Sequence, residues 1–186
     1  MKKNNNKKLI QLTSDLKSNI SEKISKALME LAKEGDASVI PDLIQLLIQT
    51  NDRIIQNQIK HLLSDINDQN SAEVLMSELK KIEKDENLKQ ILPIFWESKL
   101  NLSEYLADFV EIGVDNDYLI ALDCLTIIEN MAGPFSESQL LEAQLHLKEF
   151  VENKSNSDER KSQILSEIAI FIKDQNEGID ADLLFD

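Results

Sequence analysis

Cysteine, glycine and proline are scarce in this chain, and each scarcity closes off a class of protein. A single cysteine, Cys124, rules out an intrachain disulfide and any cysteine-built metal cluster, and it fits a reducing cytoplasm. Four glycines are too few for a Gly-rich phosphate loop. With three prolines and no alternating apolar–polar pattern, strands are not expected. No run approaches the roughly 18 apolar residues of a membrane span. The opening MKKNNNKKLIQLTSDLK is basic like a secretion signal, but Gln11 interrupts its apolar stretch directly after Leu9 and Ile10. Lysine and arginine are absent altogether from residues 100–147, which carry nine Asp and Glu.

What is present is a repeat. Apolar pairs four residues apart recur as Leu12/Leu16, Leu43/Leu47, Leu75/Leu79, Leu106/Val110 and Leu141/Leu145, in steps of 31, 32, 31 and 35 residues. A hydrophobic content of 42% with 29% charged residues is that of a folded chain. The period is that of stacked helical hairpins, each too small to bury its apolar face alone. The expected fold is therefore all-α, a right-handed α-solenoid of about five antiparallel hairpins.

Along the chain, residues 1–8 read as a basic disordered leader, 9–174 as one solenoid domain and 175–186 as an acidic flexible tail. Ten helices are expected. The first begins near Leu9, Ser21 caps the second, and Gly35 ends it in the left-handed conformation. Asp36 caps the segment with Pro41 in its first turn. Asp52 marks the turn before Ile55, Ile59 and Leu62, and Asn70 with Glu73 forms a capping box. Gly113 ends the helix that Ser103 opens. Asp117 begins the most apolar and most enclosed helix, and Ser136 with Gln139 caps the next. The polar stretch NKSNSDE is the one candidate for a proteolytic nick.

The stretch VIPDLIQLLIQTNDRIIQNQIKHLL resembles a HEAT repeat of the short bacterial kind. Pro41 lies early in the first helix, Leu43 and Leu47 follow, Asp52 marks the turn and Ile55 opens the second helix. AEVLMSELKKIEKDENLKQIL and SEYLADFVEIGVDNDYLIALDCL repeat the pattern more faintly, so the resemblance is best over 36–131. It implies a HEAT/ARM-like superhelix whose concave surface, lined by second helices, grips another protein. Gln56 and Lys89 stand where the family usually places an arginine that stacks against the turn aspartate. The tetratricopeptide pattern, of similar period, lacks its consensus here.

Catalytic constellations do not assemble from these residues. His146 and His61 lack the sequence context of a phosphotransfer histidine. Glu142 and His146 have no second unit with which to hold a di-iron centre. DINDQN at 65–70 lacks the turn glycine and closing glutamate of a calcium loop. Cys124, flanked by Leu122, Leu125 and Ile127, reads as a buried inert thiol. Neither enzyme activity nor a metal or cofactor is expected.

Two features point to a partner instead. Charge is polarised: residues 1–35 carry 8 Lys against 4 acids, 36–100 carry 7 basic against 11 acidic, and 101–186 carry 5 basic against 19 acidic residues. Within the last part, Glu104, Asp108, Glu111 and Asp115 follow one helix face and would dock a Lys/Arg-rich segment. Beside Pro93, the run Ile94-Phe95-Trp96 cannot all face a core, so Trp96 or Ile94 is left near the surface as an interface anchor. The expected function is a non-enzymatic protein–protein interaction scaffold. It takes a protein or peptide, basic in character, through a concave groove and the acidic C-terminal half.

Neither nucleic acid nor membrane is expected as a partner, and the chain alone is expected to be monomeric and cytoplasmic. An alternative is a HEAT-like nucleic-acid-processing enzyme of the DNA glycosylase type, whose basic groove a chain of 20 basic and 34 acidic residues does not supply. Another is an acidic nucleic-acid mimic that blocks a basic protein. The end LLFD, with Leu184 and Phe185, weakly resembles a sliding-clamp peptide.

Overall fold

Leucine and isoleucine at three- and four-residue spacing, with few breakers between them, produce an all-helical chain. A computed structural model describes residues 2–83, 85–152 and 158–182, with no strand among them. The helices are α1 (Lys2–Leu16), α2 (Ser21–Glu34), α3 (Ile40–Gln49), α4 (Arg53–Ser64) and α5 (Gln69–Leu79). They continue as α6 (Asp85–Glu97), α7 (Leu106–Asp115), α8 (Tyr118–Glu129), α9 (Glu137–Glu152) and α10 (Glu159–Asp182). Single 3-10 turns at Ala37–Val39 and Ser103–Tyr105 lead into α3 and α7. Residues 153–157 of the expected linker NKSNSDE (153–159) and the end at 183–186, with Leu184 and Phe185, lie outside the described residues.

Among the described residues, aspartate sets four of the ten α-helix starts, at α4, α5, α8 and α10. Its short side chain accepts from the otherwise unpaired N–H groups of the first turn. Asp52 accepts from the amides of Ile54 and Ile55, and Asp117 from those of Leu119 and Ile120. Removing either carboxylate by an Asp→Ala change should cost about 1 kcal/mol, read as an earlier urea midpoint. No change in midpoint for either variant would show that the caps contribute nothing.

Other starts and stops differ from expectation. Ser21 is the first residue of α2 rather than its cap, and its hydroxyl donates to Asp52 instead. Asp68, not Asn70, caps α5 by accepting from the Ser71 amide and hydroxyl, and those bonds hold its carboxyl below the usual range. Gly35 has φ −67°, not the left-handed conformation; it is needed because a Cβ there would lie 2.6 Å from the Leu31 carbonyl oxygen. Gly113 does not end its helix, since α7 continues to Asp115. The first helix already runs from Lys2, inside the expected leader, and α10 extends to Asp182, inside the expected tail. Few residues in either segment break a helix, and polarity alone does not.

The contacts group the chain into two compact units, residues 1–100 and 101–186, where the sequence suggested one domain over 9–174. At this point Ser98 donates to the Phe95 carbonyl, and Asn101 accepts from the Ser103 amide and hydroxyl. Neither glycine nor proline marks the break, so composition carries no sign of it.

In the first unit α1 packs on α2 and α3, α2 on α4, α3 on α4 and α5, and α6 on α4 and α3. Leu43, Leu47, Ile59, Leu63 and Leu92 are each at most 1% exposed. Burying one such side chain contributes about 1.5–3 kcal/mol before entropy is counted. In the second unit α7 packs on α8 and α9, and α10 on α8 and α9. The expectation for α8 agrees with the structure: Ile120, Ala121, Cys124 and Ile128 are fully enclosed.

Four hydrogen bonds join helices that lie two apart along the chain. Ser21 to Asp52, Ser25 to Gln58, Ser64 to Glu97 and Ala107 to Gln139 span 31, 33, 33 and 32 residues. The first two join α2 to the start and middle of α4, the third joins α4 to α6, and the last joins α7 to α9.

One of the five apolar pairs faces the wrong way. Leu141 and Leu145 are 57% and 50% exposed, while Leu140 and Ala143 of the same helix are buried.

Candidate partner-binding surface

The acidic stripe is real as a surface feature. Glu104 sits in the 3-10 turn before α7, and Asp108, Glu111 and Asp115 follow along that helix. Glu104, Glu111 and Asp115 are exposed, and Asp108 is half-buried. The stripe is not without a cation, although none exists within 100–147. Lys161, from α10, donates its Nζ to the Val114 carbonyl at the end of α7 and lies over the Phe150 ring. Burial pushes the Lys161 ammonium below its usual range, and Asp115 and Asp117 act against that shift. A cation at a helix C-terminus meets unpaired carbonyls there. Arg160 sits over the Tyr118 ring and pairs with Asp158.

The Pro93 run resolves between its two candidates. Ile94 is wholly buried and cannot touch a partner, whereas Trp96 is 38% exposed on α6. The helix continues through Pro93 to Glu97, which places Ile94 and Phe95 inward and turns Trp96 out. Trp96 belongs to the first unit and the stripe to the second.

Two apolar residues that sequence reasoning passed over stand out more than Trp96. Met29 on α2 and Ile54 on α4 are 56% and 69% exposed. Both line a groove of about 450 Å³ between these helices, with Ser25 and Lys26 beside them. Their neighbours Leu28 and Ile55 face the core, so both sit just outside the inward register. An apolar residue one step off the buried stripe is the signal that would have found them.

A larger cavity of about 690 Å³ lies at the turn ends of the first two hairpins, between Ser18–Ser21 and Thr50–Asp52. Its lining is mostly polar: Asn19, Gln45, Gln49 and Asn51 contribute carboxamides, and Lys17 pairs with Asp42 at 2.9 Å. Asp52, Ser21 and Ile55 line both cavities.

The remaining chemistry-bearing residues gather no site. His61 is exposed and lies 3.7 Å from Asp65, and His146 is half-buried on α9. Among the described residues no group of His, Cys, Asp and Glu is arranged to hold a metal ion, and no helix is long and apolar enough to cross a membrane. Cys124 is buried between α7 and α8, and burial pushes its thiol far above the usual range. A thiol reagent should therefore leave Cys124 untouched in the native protein and label it fully in denaturant. Rapid labelling of the native protein would contradict its enclosure.

Comparison with protein-family models, curated proteins and solved structures finds no match for this chain.

Proposed function

We propose that the chain is a non-enzymatic scaffold built from HEAT-like hairpins, and that it takes a protein or peptide segment on its second helices. The observation that carries this reading is the groove between α2 and α4, with Met29 and Ile54 more than half exposed on its walls. Full burial of such a side chain is worth about 1.5–3 kcal/mol, and more than half of that is left unrealised at each of these two positions, to be recovered by a docked partner. Trp96 adds a third anchor on a second helix of the same unit.

The stacking that a solenoid requires is supported by the packing of α1 on α3, α2 on α4, α7 on α9 and α8 on α10. Cross-hairpin hydrogen bonds spaced 31–33 residues apart point the same way. Where the resembled family uses an arginine at the turn, Gln56 donates its Nε2 to the Thr50 carbonyl at 2.8 Å, so the turn keeps a side-chain tie. The acidic stripe lies on α7, a first helix, and serves as a steering field for a basic partner.

The partner is captured from the native organism at low and moderate salt, and its affinity is then measured against variants. Ile54→Ser and Met29→Ser should each weaken binding by about tenfold or more, with the helical spectrum unchanged. Replacing Glu104, Asp108, Glu111 and Asp115 with glutamine or asparagine should slow association and flatten its salt dependence. Unchanged affinity in both groove variants would sink the groove reading. Unchanged salt dependence would remove the stripe from it.

A further inference from the structure

We propose that the polar cleft at the turn ends of the first two hairpins binds the main chain of an extended peptide, whose apolar side chain enters the adjacent α2–α4 groove. This rests on the scaffold reading and adds the conformation and chemistry of the bound segment. At about 690 Å³ the cleft has the size of a ligand site rather than a packing gap.

Its chemistry selects amide groups over charged ones. The ionised side chains in the lining are already engaged. Lys17 is paired with Asp42, and Asp52 accepts from the Ile54 and Ile55 amides and from the Ser21 hydroxyl. Asn19, Gln45, Gln49 and Asn51 line the same cleft, and no side-chain hydrogen bond among the described residues engages them. All four are exposed, with their carboxamides open to a ligand as they are to water. Each carboxamide carries an N–H donor beside a carbonyl acceptor, the same pair that a peptide unit presents. Ser18, also in the lining, keeps a buried hydroxyl oxygen with no partner among the described residues.

A helical ligand cannot use such a wall, because its N–H and C=O groups are bonded within the helix. An extended chain leaves its main-chain groups open, and its side chains alternate in direction. The two cavities meet where Ser21, Asp52 and Ile55 line both, beside the hydrogen bond between Ser21 and Asp52. A segment crossing that bond sets its main chain on the carboxamides and one side chain against Met29 and Ile54.

The test starts from random dodecapeptides displayed on phage and selected on the full chain. The best binder is synthesised, together with a copy N-methylated along its main chain. Affinities are measured for the native chain, for Gln45→Ala with Gln49→Ala, and for Ile54→Ser, while NMR follows the side-chain amide protons. The inference expects the double variant and the N-methylated peptide each to lose about tenfold in affinity, with glutamine side-chain amide signals shifting on binding. Gln45 and Gln49 are exposed, so the double variant retains its fold, which circular dichroism checks. If only Ile54→Ser weakens binding, or the bound peptide is helical, the main-chain inference is overturned and the scaffold reading stands. If neither variant matters, or selection yields no binder, both are overturned.

Discussion

Replacing Leu140 with alanine should cost the second unit about 2–5 kcal/mol, while the same change at Leu141 should stay within about 0.5 kcal/mol. The two leucines are adjacent and chemically identical, so the contrast isolates which face of α9 meets the protein. Leu140 is 1% exposed in a helix that packs on α7 and α10, and truncation there leaves a cavity that its neighbours only partly fill. Leu141 is 57% exposed and loses little by shortening. Urea midpoints of the two variants decide the matter. Equal losses, or a larger loss at Leu141, would mean that α9 is rotated about its axis.

Gly113→Leu should destabilise the same unit by about 3 kcal/mol, whereas Gly113→Ala should be neutral or gain up to about 1 kcal/mol. Gly113 is buried in the last turn of α7, and a Cβ placed there would stand 3.4 Å from the Cys124 Cβ and 3.6 Å from the Ala121 Cα. A methyl fits at ordinary contact distance and removes the entropic cost of glycine in a helix. Three further carbons have no room unless α7 and α8 separate, which would open the contact around Cys124. The thermal midpoints of the two variants should therefore move in opposite directions. A leucine variant as stable as the native chain would show that the two helices do not approach this closely.

Gly113 also shows why one signal misled. A glycine near the end of an apolar helix is the usual stop, and sequence alone does not separate that role from close helix packing. The same ambiguity produced the error at Leu141 and Leu145. In the heptads of α9 both stripes begin with leucine. The outer one runs into Lys148 and Glu152, while Leu140, Ala143, Leu147 and Phe150 stay apolar and make the longer face. With α9 in that register, Gln139 accepts from the Ala107 amide 32 residues away, whereas the leucine pairs are 35 residues apart. Three consecutive apolar residues at Ile94, Phe95 and Trp96 reveal that one must turn outward, but not that it is Trp96 rather than Ile94.

The helical class, the number of helices and the enclosure of α8 were all legible in the sequence, because each depends on local propensity and on periodicity within one segment. The turn at Asp52 and the helix start at Asp117 were legible for the same reason, and the structure adds that both carboxylates cap, accepting from amides within three residues. Tertiary structure decided what depends on distant neighbours. It chose the buried face of α9, brought Lys161 of α10 to the end of α7, divided the contacts at residue 100 and turned Met29 and Ile54 outward over a groove. Burial is a property of pairs of elements. The apolar pattern of one helix states how much surface must be covered, and only the helices packed against it settle which side that is.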